Sequence, residues 1–329
     1  MKILVTGASG YLGNKLAHSL ANKGHEVAAL VRSSTAYKFL NHPNIRMVQG
    51  DVLAKETITA AMKGCERVYH VAATVAPWIK DANDYYKVNV DGTRHVLDAA
   101  AECGIQKIVV TSSCGVLGPS LNEPLSETDP RLTAFKMDYE LSKKMAEDIV
   151  LQYTRQGMQI VIVSPAKIYG PGNVSHSLTA NAVIAEFIYK RKVFIPAPCS
   201  QKACFCFIDD VVNGHMLAME HGRSGEKYIL GGINISYQEF FEQIRNLSGC
   251  RGRIIHASKN ALRAWAVFQW LNYKATGTPP RFALNALDIV WSNYIFNSEK
   301  ACRELGYTIT SLPEAINQTV HFLKTQQHA

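Results

Sequence analysis

Tyr139 and Lys143 stand four residues apart in the run Tyr139-Glu140-Leu141-Ser142-Lys143, and apolar residues recur at Leu141, Met145 and Ile149 before Gly157. That spacing predicts a helix from Tyr139 to Gln156, with a phenol and an ammonium one turn apart on a shared face. An ammonium beside a phenol favours the phenolate, which lowers the phenol's pKa and makes a poor acid into a proton donor. Upstream, Thr111-Ser112-Ser113 closes the apolar run Ile108 to Val110, so Ser113 falls at the carboxyl end of a strand. In a parallel sheet that edge is where ligands bind.

Tyr-x-x-x-Lys on a helix is usually surface pairing, and the start of the chain gives it weight. Ile3-Leu4-Val5 leads straight into Thr6-Gly7-Ala8-Ser9-Gly10-Tyr11-Leu12-Gly13. Strand, glycine turn and helix in that order suit a dinucleotide pyrophosphate. Gly7 permits the tight turn, Gly10 the close approach of the phosphates, and Gly13 the packing of helix on sheet. The helix N-terminus adds free N–H groups and a positive dipole end. Leu12, Leu16 and Leu20, with Ala17 and Ala21 beside them, mark the buried stripe, and Gly24 the stop. His25 to Val31 reads as a second buried strand. A fold that binds NAD usually presents a carboxylate at the end of that strand to hold the ribose 2′-OH. Here Arg32, Ser33 and Ser34 follow, with Lys38 about one helical turn beyond. A guanidinium can grip a 2′-phosphate that a carboxylate would repel, so NADP(H) is the predicted cofactor. Arg32 could also cap the strand end in solvent, or stack on the adenine.

These groups need a scaffold, and the first half of the chain supplies its rhythm. Strands near Ile3, Glu26, Arg46, Arg67, Lys107 and Gln159 alternate with helical segments, which predicts an α/β fold with a parallel, doubly wound Rossmann sheet. From Ser164 the rhythm breaks into Pro and Gly turns, a helical stretch at Asn181 to Lys190, and strands at Val193 to Pro196 and Phe205 to Ile208. Lys259 to Tyr273 carries Trp265, Phe268, Trp270 and Leu271 in an amphipathic pattern that fits a packed helix, a lid over an apolar substrate, or contact with a membrane surface. With 329 residues, 47% of them hydrophobic, the chain can bury one large core or two moderate ones. No apolar run reaches the roughly 20 residues that span a bilayer. The first residues are already used as a strand and are too short for a signal peptide, and eight cysteines without paired spacing suggest a reducing compartment, so the cytoplasm is expected. Cys204 and Cys206 lack zinc spacing, and no metal is expected. The net charge of +8 is scattered, with no basic stripe for nucleic acid.

The chain resembles the extended short-chain dehydrogenase/reductases, and within them the dihydroflavonol-4-reductase-like branch. The resemblance covers nearly the whole chain. It runs through Thr6 to Gly13, Gly50-Asp51-Val52, His70 to Ala73, Asn89 to Thr93, Thr111 to Ser113, Tyr139 to Lys143, Tyr169 to Gly172, Phe207 to Val211 and Ser298 to Tyr307. It implies that Tyr139 is the proton donor, that Lys143 tunes it and touches the nicotinamide ribose, and that Ser113 hydrogen-bonds the substrate carbonyl, with Ser112 the alternative. Asn89 would support the lysine, or else be a polar helix residue bonded to backbone. Cofactor contacts are implied for Thr6, Gly7, Ser9, Gly10, Tyr11, Leu12, Gly13, Arg32, Ser33, Lys38, Asp51, Val52, Val71, Ala72, Ala73, Tyr139, Lys143, Pro165 and Ile168. Asp51 could equally cap a loop. Substrate contacts are implied for Thr74, Trp78, Val116 and Phe135. The nucleotide domain would comprise residues 1–165 and 203–232, and a smaller, discontinuous α/β substrate domain residues 166–202 and 233–329. A homodimer is expected through the helices at 84–103 and 139–156, with Tyr86, Val90, Val96, Met145 and Ile149 as apolar positions that could instead face the sheet.

Departures from related patterns narrow the chemistry. Sugar-nucleotide dehydratases follow the serine or threonine with Asp-Glu, where this chain has Cys114-Gly115. The Asn-Trp-Tyr-Cys signature of cinnamoyl-CoA reductases is missing, and Ser164 stands where epimerases commonly have Arg. Trp78, Val116, Phe135, Ile168, Phe194 and Phe205 are candidate pocket residues, and they favour an apolar carbonyl compound. The expectation is an NADPH-dependent reductase of a ketone on a flavonoid-, steroid- or polyketide-like molecule, or the reverse dehydrogenase. A sugar-nucleotide epimerase is the alternative. A non-catalytic NADP sensor is a third reading, and the intact Ser113, Tyr139 and Lys143 argue against it.

Overall fold

Apolar runs of four to six residues become strands wherever both faces of a sheet are covered. In the computed structural model, which describes residues 1–33, 39–76, 78–172, 180–197, 200–280 and 287–326, six strands come first. They are β1 (Lys2–Thr6), β2 (Glu26–Val31), β3 (Ile45–Gln49), β4 (Arg67–His70), β5 (Lys107–Thr111) and β6 (Ile160–Pro165). Then come β7 (Lys167–Tyr169), β8 (Lys192–Ala197), β9 (Lys202–Phe207), β10 (Lys227–Leu230), β11 (Ile233–Ser236) and β12 (Arg253–Ser258). The large sheet has the order β3-β2-β1-β4-β5-β6-β10, every pair parallel. It is the doubly wound sheet that the sequence predicts.

Side chains alternate across it. Ile3 and Val5 of β1 join one buried cluster with Leu12, Leu16 and Leu20 of α1 (Tyr11–Asn22). Leu4 joins the other, with Ile58 and Met62 of α2 (Lys55–Met62). A short α3 (Asn83–Tyr86) runs through a π-helical turn, Lys87–Asp91, into α4 (Gly92–Glu102). The sequence predicts one regular helix here. The π turn is a local widening of a kind common at functional sites, and it carries Asn89 into the interior, fully buried. Val96 and Leu97 of α4 and Val150 of α5 (Asp138–Arg155) pack on the same face. Val90, Val96 and Ile149, expected at a dimer face, are buried against their own sheet; Met145 is exposed.

After β6 the chain leaves the sheet. A three-stranded sheet, β11-β9-β7, and a parallel pair, β12-β8, flank α6 (Ala180–Lys190). Residues 202–207 belong to this smaller sheet, and the return to the large one is made by α7 (Ile208–His221) and β10. Phe205 stacks on Phe240 of α8 (Tyr237–Ser248), with ring centroids 3.8 Å apart, at the centre of an aromatic cluster. The amphipathic segment forms α9 (Lys259–Thr276), capped by Ser258 and stopped by Gly277. Ala266 is its single buried residue, while Phe268 and Leu271 are exposed, so the packed-helix reading holds for only a thin stripe. Short α10 (Leu287–Val290), α11 (Glu299–Leu305) and α12 (Leu312–Gln326) complete the chain. Among the described residues no helix is long and apolar enough to cross a membrane.

Two fully buried histidines pin the layers together. His215 of α7 donates from Nδ1 to the Val211 carbonyl (2.7 Å), leaving Nε2 to accept from the Thr111 hydroxyl of β5 (2.9 Å). His70, at the end of β4, bonds Thr6 of β1 (2.8 Å) and Thr93 of α4 (3.0 Å). Burial depresses both, His70 to about 3 with help from the positive Lys143, and His215 to about 4. An imidazole kept neutral in the fold but free to protonate when unfolded costs stability only below the unfolded pKa. Stability should therefore be intact above pH about 6.5 and fall toward pH 4, by up to about 1.4 kcal/mol per pH unit for each ring. Imidazole proton resonances followed by NMR should show no titration of these two rings between pH 8 and 5. A midpoint near the free-histidine value for either would refute the assignment.

Candidate active site

The order of the large sheet reverses between β1 and β4, and the glycine turn opens at that seam. Gly7 has φ +70°, and a Cβ there would lie 2.7 Å from the Ala72 nitrogen. A Cβ on Gly13 would lie 2.2 Å from the Gly7 carbonyl oxygen. Both positions therefore require glycine. Gly10 is the N-cap of α1 and carries no side chain that could cap the first-turn amides. That arrangement fits the pyrophosphate of a dinucleotide. A cleft of about 1320 Å³ runs from this turn, past the ends of β4, β5 and β6, to β7, α8 and α9.

Behind the turn, proton counting fixes a chain of hydrogen bonds. Thr6 Oγ1 accepts from the Val71 and Ala72 amides, both at 3.2 Å, so its own proton goes to His70 Nδ1. His70 then carries its proton on Nε2 and donates to Thr93 Oγ1, which donates to the Asn89 carbonyl (2.7 Å). The Asn89 side chain accepts from the Thr74 amide (2.8 Å) and donates to the Thr74 carbonyl (3.1 Å) and to Ser142 Oγ (2.9 Å). Ser142 donates to the Tyr139 carbonyl (2.8 Å). The glycine turn and the backbone of Tyr139 are thus joined without a break.

On the opposite wall, Ser113 Oγ accepts from the Gly115 amide (3.1 Å) and is hydrogen-bonded to the Tyr139 phenol. Ser112 is different: its hydroxyl donates to Glu147 (2.6 Å), whose other oxygen pairs with Lys227 (2.5 Å). Lys143 is buried and donates to the Thr111 carbonyl (2.6 Å) rather than to Tyr139. Burial pushes the Lys143 ammonium down to about 8, with Glu147 one turn along α5 pulling upward. Burial also raises the Tyr139 phenol, opposed by its bond to Ser113. The lowered phenol expected from Tyr-x-x-x-Lys is therefore not the state of these groups. Burial is the largest cause of the rise, and Glu140 adds to it.

Most of the residues named from sequence line this one cleft. They are Gly7, Ser9, Gly10, Tyr11, Leu12, Gly13, Arg32, Asp51, Val52, Val71, Ala72, Ala73, Thr74, Ser113, Tyr139, Lys143, Pro165 and Ile168. The Tyr11 hydroxyl is committed, donating to the Gly170 carbonyl (2.7 Å) and accepting from Asn181 (2.9 Å). Asp51 accepts from the Leu53 amide (3.0 Å) in a local turn while still facing the cleft. Thr6 and Asn89 lie behind the wall, and Ser33 is exposed outside it. Lys38 lies outside the described residues. Asn89 makes its bonds to Thr74 and Ser142, not to Lys143. Three residues expected at the substrate are elsewhere. Trp78 packs edge-on against Tyr273 of α9, with centroids 5.0 Å apart. Val116 is buried, and Phe135 lies under the Arg131 guanidinium at 4.1 Å.

The far wall is built instead from Met137, Phe194, Phe205, Tyr237, Trp265 and Tyr294, with Glu140 and Lys167 among them. Glu140 is held by Arg131 (2.7 Å) and by the Tyr294 hydroxyl (3.2 Å). Of these, Phe194 and Phe205 were foreseen as pocket candidates. Tyr237, Lys167 and Tyr294 carry no motif and were not. Glu147 was legible in principle, one helical turn beyond Lys143.

Residues 3–231 match the family model described as the NAD dependent epimerase/dehydratase family. A Synechocystis sp. protein that carries the dihydroflavonol 4-reductase name is 30% identical, over 97% of this chain and 94% of its own length. A 3-beta-hydroxysteroid dehydrogenase of Mycolicibacterium neoaurum is 29% identical, over 93% of this chain and 86% of its own length. The crystal structure of UDP-glucose 4-epimerase from Thermotoga maritima superposes with TM-score 0.83 at 21% identity, covering 99% of this chain and 100% of that one, a likeness of fold. The chain belongs to the NAD-dependent epimerase/dehydratase family, among the extended short-chain dehydrogenase/reductases.

Proposed function

We propose that this protein is an NADP(H)-dependent oxidoreductase that reduces a ketone on an apolar small molecule, or oxidises the matching secondary alcohol. One observation carries the reading. Ser113, Tyr139 and Lys143 share the wall of a cleft that starts at the glycine turn and ends among aromatic side chains. A nicotinamide held in this cleft would supply or take the hydride. Ser113 donates a hydrogen bond to the substrate oxygen as negative charge grows there, and Tyr139 gives that oxygen its proton, so carbonyl, hydride and proton sum to the alcohol. Lys143, held by the Thr111 carbonyl, keeps positive charge close to the reacting phenol. Two relatives named for a dihydroflavonol 4-reductase and a 3-beta-hydroxysteroid dehydrogenase support a polycyclic, apolar substrate. The epimerase reading is weaker, because the far wall is dominated by aromatic rings. The proposed nucleotide domain comprises residues 1–165 and 203–232, although β9 within that second span pairs in the smaller sheet, and the substrate domain comprises the remainder.

Cofactor choice is assigned to Arg32. It follows directly on β2, is exposed, and faces the cleft at the point where an acidic residue would select NAD. A charge-assisted pair with the 2′-phosphate is worth roughly 1.5–3 kcal/mol, so NADPH should bind about 10- to 100-fold more tightly than NADH at modest salt. Arg32→Ala should erase most of that gap and leave NADH binding nearly unchanged. Equal dissociation constants in the unmutated protein would sink the assignment.

The proton donor is tested on an active ketone, found as net loss of NADPH absorbance. Tyr139→Phe should lower kcat by roughly 100-fold or more with little change in NADPH affinity, whereas Lys143→Ala should weaken both. A Tyr139→Phe enzyme with most of its turnover intact would remove Tyr139 from the role. Sugar-nucleotide isomerisation without net change in NADPH would replace the whole reading with the epimerase.

A further inference from the structure

Lys167 is out of place on an aromatic wall. It opens β7, pairs in register with Phe205 of β9, and lines the cleft. Its ammonium donates to the Tyr237 hydroxyl at 3.0 Å, and sits 5.1 Å from the Tyr237 ring centroid and 5.9 Å from that of Phe205. Among the described residues no carboxylate pairs with it. Of the acids that line the cleft on this side, Glu140 is held by Arg131 and Tyr294, and Glu186 pairs with Lys190.

Counting donors gives the consequence. The ammonium has three N–H groups, and the bond to Tyr237 uses one. Tyr237 accepts that bond through its oxygen, so its own O–H proton remains to be donated. Lys167 and Tyr237 therefore present a cation and a neighbouring hydroxyl donor side by side on the wall of the cleft. Two adjacent donors with one positive charge match the two oxygens and single negative charge of a carboxylate.

We propose that Lys167 and Tyr237 form a carboxylate-binding subsite, so that the substrate is an apolar carbonyl compound whose far end carries a carboxylate. This rests on the oxidoreductase reading above and adds the polar group that orients the substrate. The ammonium fixes one end, the rings hold the apolar body, and the carbonyl comes to rest between Ser113 and Tyr139.

The subsite can be tested without turnover. Decanoate and methyl decanoate are titrated calorimetrically into the full-length protein, with and without saturating NADP⁺. The acid should bind about 10-fold or more tightly than the ester. Lys167→Met should abolish that preference while leaving ester binding unchanged, Tyr237→Phe should reduce it, and Lys167→Arg should keep it. Thermal melts establish that each variant is folded, and Lys167→Arg carries the test if Lys167→Met is not. Equal affinity for acid and ester, no binding of decanoate, or a preference that survives Lys167→Met overturns the proposal. So does tighter binding of uridine diphosphate than of decanoate at the same residues. Failure of NADP⁺ to bind would instead strike at the oxidoreductase reading, and it registers separately.

Discussion

A single hydroxyl, Thr6 Oγ1, has its whole hydrogen-bonding capacity spent at the seam between β1 and β4. It accepts from two successive amides after β4 and donates to His70. Nothing in that arrangement can rotate without leaving a buried polar group unpaired, which typically costs about 1–3 kcal/mol. The direction of every later bond follows. His70 is fixed in one tautomer, Thr93 must point at Asn89, and Asn89 is presented by a π turn that a regular helix would not provide. Through Ser142 the same order reaches the backbone of Tyr139. The glycine turn and Tyr139, far apart in sequence, thus share one rigid reference frame.

Charge in the cleft works against stability. Lys143 is held near a pKa of about 8 by burial, well below the ordinary lysine value. Keeping it protonated at neutral pH costs the fold about 3 kcal/mol relative to the unfolded chain, a cost that disappears as pH rises past the free lysine pKa. The Thr111 carbonyl and the Glu147 carboxylate offset part of it. Glu147 is in turn held by Ser112 and Lys227, so although both adjacent serines line the cleft, the Ser112 hydroxyl is committed to Glu147. Buried, strained charge of this kind is characteristic of sites that perform chemistry rather than of ordinary packing.

The nucleotide half of the molecule was legible because its signals are local. Gly7, Gly10 and Gly13 answer to backbone geometry within one turn, and the six early strands announce themselves as apolar runs. Tyr139 and Lys143 follow from helical spacing alone. The substrate wall was not legible in the same way. Trp78, Val116 and Phe135 are apolar and near the motifs in sequence, yet proximity along the chain says nothing about which side of a loop faces a cleft. Phe135 is turned under Arg131 because that guanidinium must reach Glu140 and the carbonyls of Gly115 and Val116. Tyr237 and Tyr294 reach the cleft from elements that come together only once β7, β9 and β11 have paired. Even the phenol's pKa reversed direction, since burial is a tertiary property and the lysine beside it is a local one.

The two ends of the cleft also differ in how firmly they are held. The glycine turn rests on strand ends whose amides and carbonyls are bonded within the sheet, with close contacts that admit no side chain at Gly7 or Gly13. The far wall includes α9, which buries only Ala266 and sends Trp265 to the cleft. Among the described contacts that tie α9 down are its Ser258 cap, the Trp78 contact with Tyr273, and the pairing of Lys259 and Arg263 with Asp288. Those ion pairs are partly solvated, and such pairs contribute about 0–1 kcal/mol each. With few buried apolar contacts, α9 belongs to the low end of local stability. Substitutions along it can reshape the aromatic wall of the cleft at little cost, while the bonds from Thr6 to Tyr139 hold the glycine turn and α5 in register. The proposed chemistry would thus be anchored in the sheet, and selectivity left to the elements around it.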